Sequence, residues 1–319
     1  MIWLIGAGVM AGDYVDVLKE LKSNFQVISR SVEKSEKLSL EKEINVISGG
    51  IDSFLETNPL KCNAAIVAVP VNNLYGVTIS LLSYGVKKIL LEKPGGIDFD
   101  EVKELTCIAE QRGAEVFIGY NRRFYTSVRT AKKMIAKEGG VESFHFEFTE
   151  WADSIASLSQ PSETKDNWLM ANSSHVIDMA FFLGGAPQEF MGFSSGANQL
   201  DWHKKSAKYS GAGISDNGAT FSYCANWNAP GRWSLEFMTT ESRYIFKPME
   251  RLSIQRRNSV SAAEVEVDYS LDEKFKPGLF LQVEAFLSDD ISDLFPLRAH
   301  SNKKTVYDVI EFGGKFKSA

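Results

Sequence analysis

Cysteine is scarce in this chain: three residues, Cys62, Cys107 and Cys224, lie far apart among 319. Their odd number and spacing exclude a disulfide framework and a cysteine-built zinc site, and leave reduced, buried thiols as the expectation. Long apolar runs are missing too. No stretch of about 18 apolar residues occurs, so no membrane-spanning helix is expected. Basic residues are in no excess: 35 Lys and Arg against 41 Asp and Glu give a formal net charge of -6. Nucleic acid and anionic membrane surfaces are therefore offered no long-range attraction. There is no internal repeat and no low-complexity tract, and no metal site is expected.

What remains is an ordinary globular composition, 44% hydrophobic and 24% charged, with length enough for two domains. The most informative stretch comes first. Ile2-Trp3-Leu4-Ile5 is an apolar run that ends in Gly6-Ala7-Gly8-Val9-Met10-Ala11, and a helix-like segment follows from Asp13 to Leu21. This is the strand, glycine turn and helix start of a dinucleotide-binding unit. Gly6 allows the tight turn, Gly8 lets the backbone approach a pyrophosphate, and Ala11 is small enough for close helix–strand contact. The backbone around Val9 and Met10 offers free N–H groups to the phosphates. A fingerprint that begins at Ile2 leaves no room for a secretory signal, so a cytoplasmic protein is expected.

A second strand, Phe25–Ile28, ends in Ser29-Arg30-Ser31. A carboxylate at this point holds the ribose hydroxyls of NAD. A guanidinium flanked by hydroxyls instead suits a 2′-phosphate, through paired charged hydrogen bonds. NADP is the expected cofactor and NAD the alternative; the structural alternative for Arg30 is a solvated strand-end arginine.

The alternation continues with a helix from Ser31 to Glu43, a strand from Ile44 to Ile47 and a brief helix from Asp52 to Thr57. Ala64 to Val69, ending at Pro70, is continuously apolar, as in a strand buried on both faces. A helix from Asn72 to Tyr84 stops at Gly85, and Lys88 to Leu91 forms a strand that runs into Glu92-Lys93-Pro94. Asp98 caps a helix from Phe99 to Gln111, and a strand from Glu115 to Gly119 leads to Tyr120-Asn121-Arg122-Arg123-Phe124. This rhythm predicts an α/β fold, a doubly wound parallel Rossmann sheet over residues 1–122, with ligands beyond the C-terminal strand ends. Gly6, Gly8, Val9, Met10, Ser29, Arg30, Ser31, Val69, Pro70, Asn72, Glu92, Lys93, Asn121 and Arg122 all fall at those ends and are the candidate cofactor-binding residues.

From Gly139-Gly140 the pattern changes. Val141 to Trp151 sets Phe144, Phe146 and Phe148 against His145, Glu147 and Thr149, the alternation of a half-buried strand. A polar, loop-like segment from Ala152 to Asp166 is long enough to cover a site. A helix from Ala171 to Leu183 follows. Strand-like runs come next, at Glu189 to Gly192, Gly218 to Trp227, Arg232 to Thr239, Arg243 to Lys247, Leu252 to Arg256 and Val265 to Tyr269. Residues 123–319 are expected to form an α+β domain with a large, mainly antiparallel, open-faced sheet. That face is expected to build a homodimer or homotetramer. Helices from Phe280 to Leu287 and from Lys304 to Phe312 close the chain, the last packing back on the first domain.

The order of the glycine fingerprint, Glu92-Lys93-Pro94, Asn121-Arg122-Arg123-Phe124 and His175-Val176-Ile177-Asp178 resembles one family. It is the glucose–fructose oxidoreductase, inositol dehydrogenase and rhizopine-catabolism (Gfo/Idh/MocA) family of NAD(P)-dependent oxidoreductases. The likeness is clear from Met1 to about Leu183 and weaker beyond. It implies that Lys93 meets a substrate hydroxyl beside the nicotinamide and that His175 exchanges the hydroxyl proton or positions the substrate. Both roles suit the groups, since an ammonium stabilises developing oxyanion charge and an imidazole titrates near neutrality. Asp178, one turn along, orients His175 or contacts the first domain.

There are departures from the family pattern. Many members carry an Asp four residues before the histidine; this chain has Ala171, beside Asn172, and an alanine neither bonds nor acts as a base. Leu169-Met170 replaces the usual Gly-Gly, and Val69-Pro70-Val71-Asn72 replaces Thr-Pro-Asn. A different substrate set, or a group from the segment between Ala152 and Trp168, is the expected consequence. The expected activity is hydride transfer between the nicotinamide and a hydroxyl or keto carbon of a sugar or sugar derivative, nucleotide sugars included. Arg123, Trp151, Trp168, Asn172 and Asp178 join Lys93 and His175 as candidate substrate contacts, with ordinary packing as the alternative for the arginine and tryptophans. The competing function is a non-catalytic NADP-binding sensor of the same fold. Ala171 favours it, and retention of both Lys93 and His175 counts against it.

Overall fold

Each apolar run of the N-terminal part is a parallel strand in the computed structural model, which describes residues 1–288 and 290–318. The strands are β1 (Ile2–Ile5), β2 (Phe25–Ile28), β3 (Val46–Ile47), β4 (Ala64–Val67), β5 (Lys88–Leu91) and β6 (Glu115–Ile118). Their spatial order is β6-β5-β4-β1-β2-β3, with the short Phe295–Pro296 antiparallel beside β6. Strand order reverses between β1 and β4, and in such sheets ligands sit in the crevice at that reversal. Residues of β1 and β4 are buried throughout, as expected of strands covered on both faces by helices.

The division of the chain differs from the expected cut at 122. One compact unit comprises Met1–Phe124 together with Ser270–Asn302; the other comprises Tyr125–Tyr269 and the chain from Lys303 on. Leu279, Val283 and Phe286 explain the return. They lie at i, i+4 and i+7 of the helix Leu279–Leu287 and join the core that contains Leu4, Tyr14, Phe117 and Phe124. Full burial of such side chains contributes about 1.5–3 kcal/mol each, enough to fix the helix on the nucleotide-binding sheet.

The second unit is built on β7 (Ser143–Glu147), β8 (Pro187–Ser195), β9 (Lys208–Ser215), β10 (Thr220–Asn226), β11 (Ser234–Met238), β12 (Ser242–Phe246), β13 (Ser253–Arg256) and β14 (Ala262–Glu264). With Gly314–Lys317 they make a nine-stranded sheet among the described residues, ordered β14-β13-β12-β11-β7-β10-β9-β8 and then Gly314–Lys317. Pairing is antiparallel except between β7 and β10. The phenylalanine alternation of β7 points inward. Phe144 stacks on Phe221 at 5.2 Å and on Phe237 at 5.8 Å, and Phe181 of the helix Ser174–Gly184 meets Phe146 edge-on at 5.7 Å. The opposite face carries exposed Met191, Phe193 and Ile214.

Several expectations need correction. β9 was missed because Gly211 and Gly213 interrupt its pattern. A Cβ at Gly211 would lie 2.4 Å from the Tyr223 ring, and one at Gly213 would lie 2.3 Å from the Glu189 carbonyl oxygen, so close packing selects glycine there. The strand after β13 is Ala262–Glu264 rather than Val265 to Tyr269. The final helix, Lys304–Phe312, packs on β8 within the second unit. The presumed loop after Trp151 contains two short helices, Ala152–Ala156 and Ser162–Asp166. Cys62 is buried, but Cys107 and Cys224 are exposed on the outward sides of their helix and strand. Among the described residues, no helix is long and apolar enough to cross a membrane.

Candidate functional site

In the first unit the glycine turn is shaped by contact on one side and by space on the other. Gly6 has φ +130°, and a Cβ there would fall 2.2 Å from the Ala68 carbonyl oxygen, so the chain leaves β1 pressed against the end of β4. Gly8 caps the helix Val9–Glu20 with no side-chain hydrogen bond, and a Cβ there would meet nothing within 4 Å. The first-turn N–H groups of that helix are therefore offered to open space, with no acidic side chain in the turn. This cradle fits a dinucleotide pyrophosphate. Val9 is strongly exposed and Met10 half-buried at its rim.

The other candidate cofactor residues lie along the same strand ends. Ser29 is buried and exchanges backbone hydrogen bonds with Ile47 and Gly50, while Arg30 beside it is exposed. Ser31 caps the next helix, its Oγ accepting from the Lys34 N–H at 3.2 Å. Val69 and Pro70 lead into the helix Val71–Tyr84, with Asn72 exposed in its first turn. Arg122 is half-buried in the single turn Asn121–Phe124. Asn121 opens the same turn. Its Nδ2 donates to the Pro277 carbonyl at 2.9 Å and fastens the returning segment.

That segment brings in a residue that sequence reasoning missed. Lys276 Nζ stands 2.7 Å from Met10 Sδ and 3.7 Å from Asp13 Oδ2, which places a positive charge beside the helix start. Nothing in the local sequence signals this, because the contact spans 266 positions.

Lys93 lies two residues past the end of β5, and its bond to Pro94 is cis. Beside it, the Glu92 carboxylate accepts a 2.7 Å hydrogen bond from the Tyr14 hydroxyl. Burial raises the Glu92 pKa, against the opposing pull of Tyr14, Lys93 and Lys276. Burial together with Glu92 holds Tyr14 far above the usual phenol range, so it stays a donor. The sign for stability follows. A carboxyl whose folded pKa is raised binds more protons folded than unfolded, so its stabilisation is present below about pH 4.5 and is lost as pH climbs through the raised pKa. Glu92→Gln is expected to flatten the fall of the thermal midpoint above pH 4.5, read by thermal unfolding at several pH values. A fall as steep as in the parent would contradict it.

In the second unit a π-helical turn, Leu169–Ser173, runs directly into the helix Ser174–Gly184. The turn leaves Ala171 buried without a polar group and aims its neighbours at Glu150. Asn172 Nδ2 donates to Glu150 Oε1 at 3.0 Å, and Ser173 Oγ donates to the same oxygen at 2.8 Å. Glu150 is almost completely buried, and its other oxygen faces Arg232 Nη1 at 3.7 Å. His175 is buried with its ring 6.3 Å from that of Trp233, and Asp178 is half-buried one turn on. Trp151 is exposed, its Nε1 donating to the Gly231 carbonyl at 2.9 Å. Glu150, Arg232 and Trp233 were not foreseen: a lone glutamate at a strand end and an arginine in a turn carry no periodic signal.

Two residues expected to touch substrate are buried. Trp168 is buried and packs edge-on against Trp202 at 6.0 Å, within an aromatic cluster that includes Trp227. Arg123 is buried with its guanidinium 4.4 Å over the Phe295 ring and Nη1 3.5 Å from the Asp293 carbonyl, a packing position. The segment before Trp168 is tied down rather than loose: Lys205 Nζ donates to Asn167 Oδ1 at 2.9 Å, and His203 Nδ1 lies 3.1 Å from the Lys165 carbonyl oxygen.

A doubly wound sheet with an uncapped glycine turn at its switch point defines a dinucleotide-binding unit, here in one chain with an antiparallel-sheet unit. Residues 1–120 match the model of the Gfo/Idh/MocA oxidoreductase family, described by its NAD-binding Rossmann fold. The chain is 24% identical over 188 residues to scyllo-inositol 2-dehydrogenase (NADP(+)) of Bacillus subtilis, a match covering 58% of this chain and 50% of that one. The chain thus spans about half the length of the curated relatives it matches. Over nearly the whole chain the fold is that of two solved proteins. An oxidoreductase from Agrobacterium radiobacter, in complex with NAD+, L-tartaric acid and magnesium, has a TM-score of 0.77 at 13% identity, covering 97% of this chain and 94% of that one. Levoglucosan dehydrogenase with NADH and L-sorbose has a TM-score of 0.75 at 18% identity, covering 100% and 99%.

Proposed function

We propose that the protein is an NADP-dependent oxidoreductase moving hydride between the nicotinamide and a hydroxyl or keto carbon of a sugar or sugar derivative. The observation that carries this is the junction at the end of β5. There a lysine stands beside a desolvated carboxylate, on a sheet whose glycine turn leaves room for a dinucleotide. Bound NADP supplies the hydride donor or acceptor. Lys93 holds the substrate oxygen and stabilises the negative charge that develops on it. His175 takes the hydroxyl proton in oxidation and returns it in reduction. Glu150, gripped by Asn172 and Ser173, brings a carboxylate to the stretch that Ala171 leaves without one. Similarity to an inositol dehydrogenase and a levoglucosan dehydrogenase supports a sugar-like substrate, and the former supports NADP.

NADP is preferred because Arg30 projects from the end of β2 with Ser29 and Ser31 on either side. Arg30→Ala is expected to weaken NADP binding about tenfold or more while leaving NAD affinity nearly unchanged, read by titrating both nucleotides. Equal loss for the two would remove the argument for the 2′-phosphate. Two or four copies associate through the open face of the second sheet, which carries Met191, Phe193 and Ile214.

A further inference from the structure

Arg232 has an arrangement that the reaction above does not use. It enters β11 from the turn after Asn226, and its guanidinium carbon lies 4.5 Å from the ring centre of Trp151 and 4.6 Å from that of Trp233. Two indole faces thus hold one cation. Its only ion pair among the described residues is with Glu150, at 3.7 Å, beyond hydrogen-bond distance. The carboxylate of Glu150 is meanwhile engaged by Asn172 and Ser173. An arginine carries five N–H donors in a rigid fork, and among the described residues no hydrogen bond uses those of Arg232. The side chain is 46% exposed, so the fork is pinned in place and still open to solvent. Trp233 joins it to the catalytic half of the unit, since the same indole stands 6.3 Å from the His175 ring.

The geometry points to Arg232 as an anion-reading subsite: the ligand handled at His175 carries a carboxylate or phosphate that Arg232 grips with two parallel charged hydrogen bonds. Acidic or phosphorylated sugars are the class that fits. The tryptophans do two things here. They remove the entropy an unrestrained arginine would lose on binding, and Trp151 offers an exposed face to a sugar ring. This rests on the sugar-oxidoreductase reading for the class of ligand, but not for the anion contact itself.

The test uses the whole protein with NADP bound and reads tryptophan fluorescence, because Trp151 and Trp233 flank the subsite. D-glucuronate, D-glucose 6-phosphate and D-glucose are titrated separately. At least one anion is expected to give a saturable change at least about tenfold tighter than glucose, weakening as salt is raised. Glucuronate or the phosphate ester leading identifies the group recognised. Arg232→Gln is expected to remove that advantage and leave glucose unaffected. Arg232→Lys, which keeps the charge but loses the fork, is expected to restore part of it, and serves if the glutamine variant does not fold. Equal affinity for all three sugars, or an unchanged anion advantage in both variants, overturns the proposal. Turnover is not the readout, so anion binding without hydride transfer would overturn the enzyme reading and leave this subsite standing.

Discussion

Lys93→Met is expected to lower turnover by about a hundredfold to a thousandfold while NADP binding stays within a few-fold of the parent. The size follows from what the ammonium does. In the proposed reaction it faces an oxygen that bears negative charge as its proton leaves in oxidation, or as hydride arrives at the carbonyl carbon in reduction, and removing one such preorganised donor typically costs that much in rate. Methionine keeps the length and apolar stem of the side chain, so the change isolates the charge. Binding is expected to survive because the glycine turn and helix start proposed to hold the pyrophosphate are not built by Lys93. Single-turnover hydride transfer and nucleotide titration on the same preparation separate the two effects. If turnover persisted, Lys93 would not be the group on the substrate oxygen.

The second large effect comes from the glycine turn, where two neighbouring glycines answer to different causes. In Gly6→Ala the new methyl would lie 2.2 Å from the Ala68 carbonyl oxygen and 2.9 Å from its carbon, in a backbone region that L side chains rarely adopt. Both obstacles are backbone, so relief requires separating the ends of β1 and β4. A loss of about 3 kcal/mol or more in stability is expected, with nucleotide binding abolished. In Gly8→Ala the methyl meets nothing within 4 Å and φ is -86°, so the fold should be kept. The methyl would instead occupy space that the phosphates need, and NADP affinity should fall with the thermal midpoint nearly unchanged. Thermal unfolding paired with NADP titration distinguishes the two. Full NADP affinity in Gly8→Ala would mean that the dinucleotide does not approach that turn.

The contrast between these glycines shows what the sequence makes legible. The strands β1 to β6 are readable because a parallel strand covered on both faces has to be a continuous apolar run, and the chain alternates such runs with capped helices. β9 is unreadable for the opposite reason: its glycines answer to the Tyr223 ring and the Glu189 carbonyl on neighbouring strands, not to any local pattern. The return of Ser270–Asn302 to the first unit has the same character. The apolar face of Leu279–Leu287 announces a helix but does not say which sheet will bury it.

Among the candidate residues, Lys93 and His175 stand out because motifs carry them. Glu150, Arg232 and Lys276 become visible only when distant segments meet. Trp168 shows the converse limit: a tryptophan near a site reads as a sugar platform or as core, and packing against Trp202 makes it core.

The account stands or falls on whether reduced and oxidised nicotinamide interconvert on this protein. The direct measurement follows the near-ultraviolet absorbance of the reduced nicotinamide with purified protein, NADP+ or NADPH, and a panel of neutral, acidic and phosphorylated sugars in their hydroxyl and keto forms. Turnover with at least one sugar, lost in Lys93→Met, is the predicted result. Tight NADP binding with no absorbance change across the whole panel would contradict it and make the protein a nucleotide-binding sensor of the same fold.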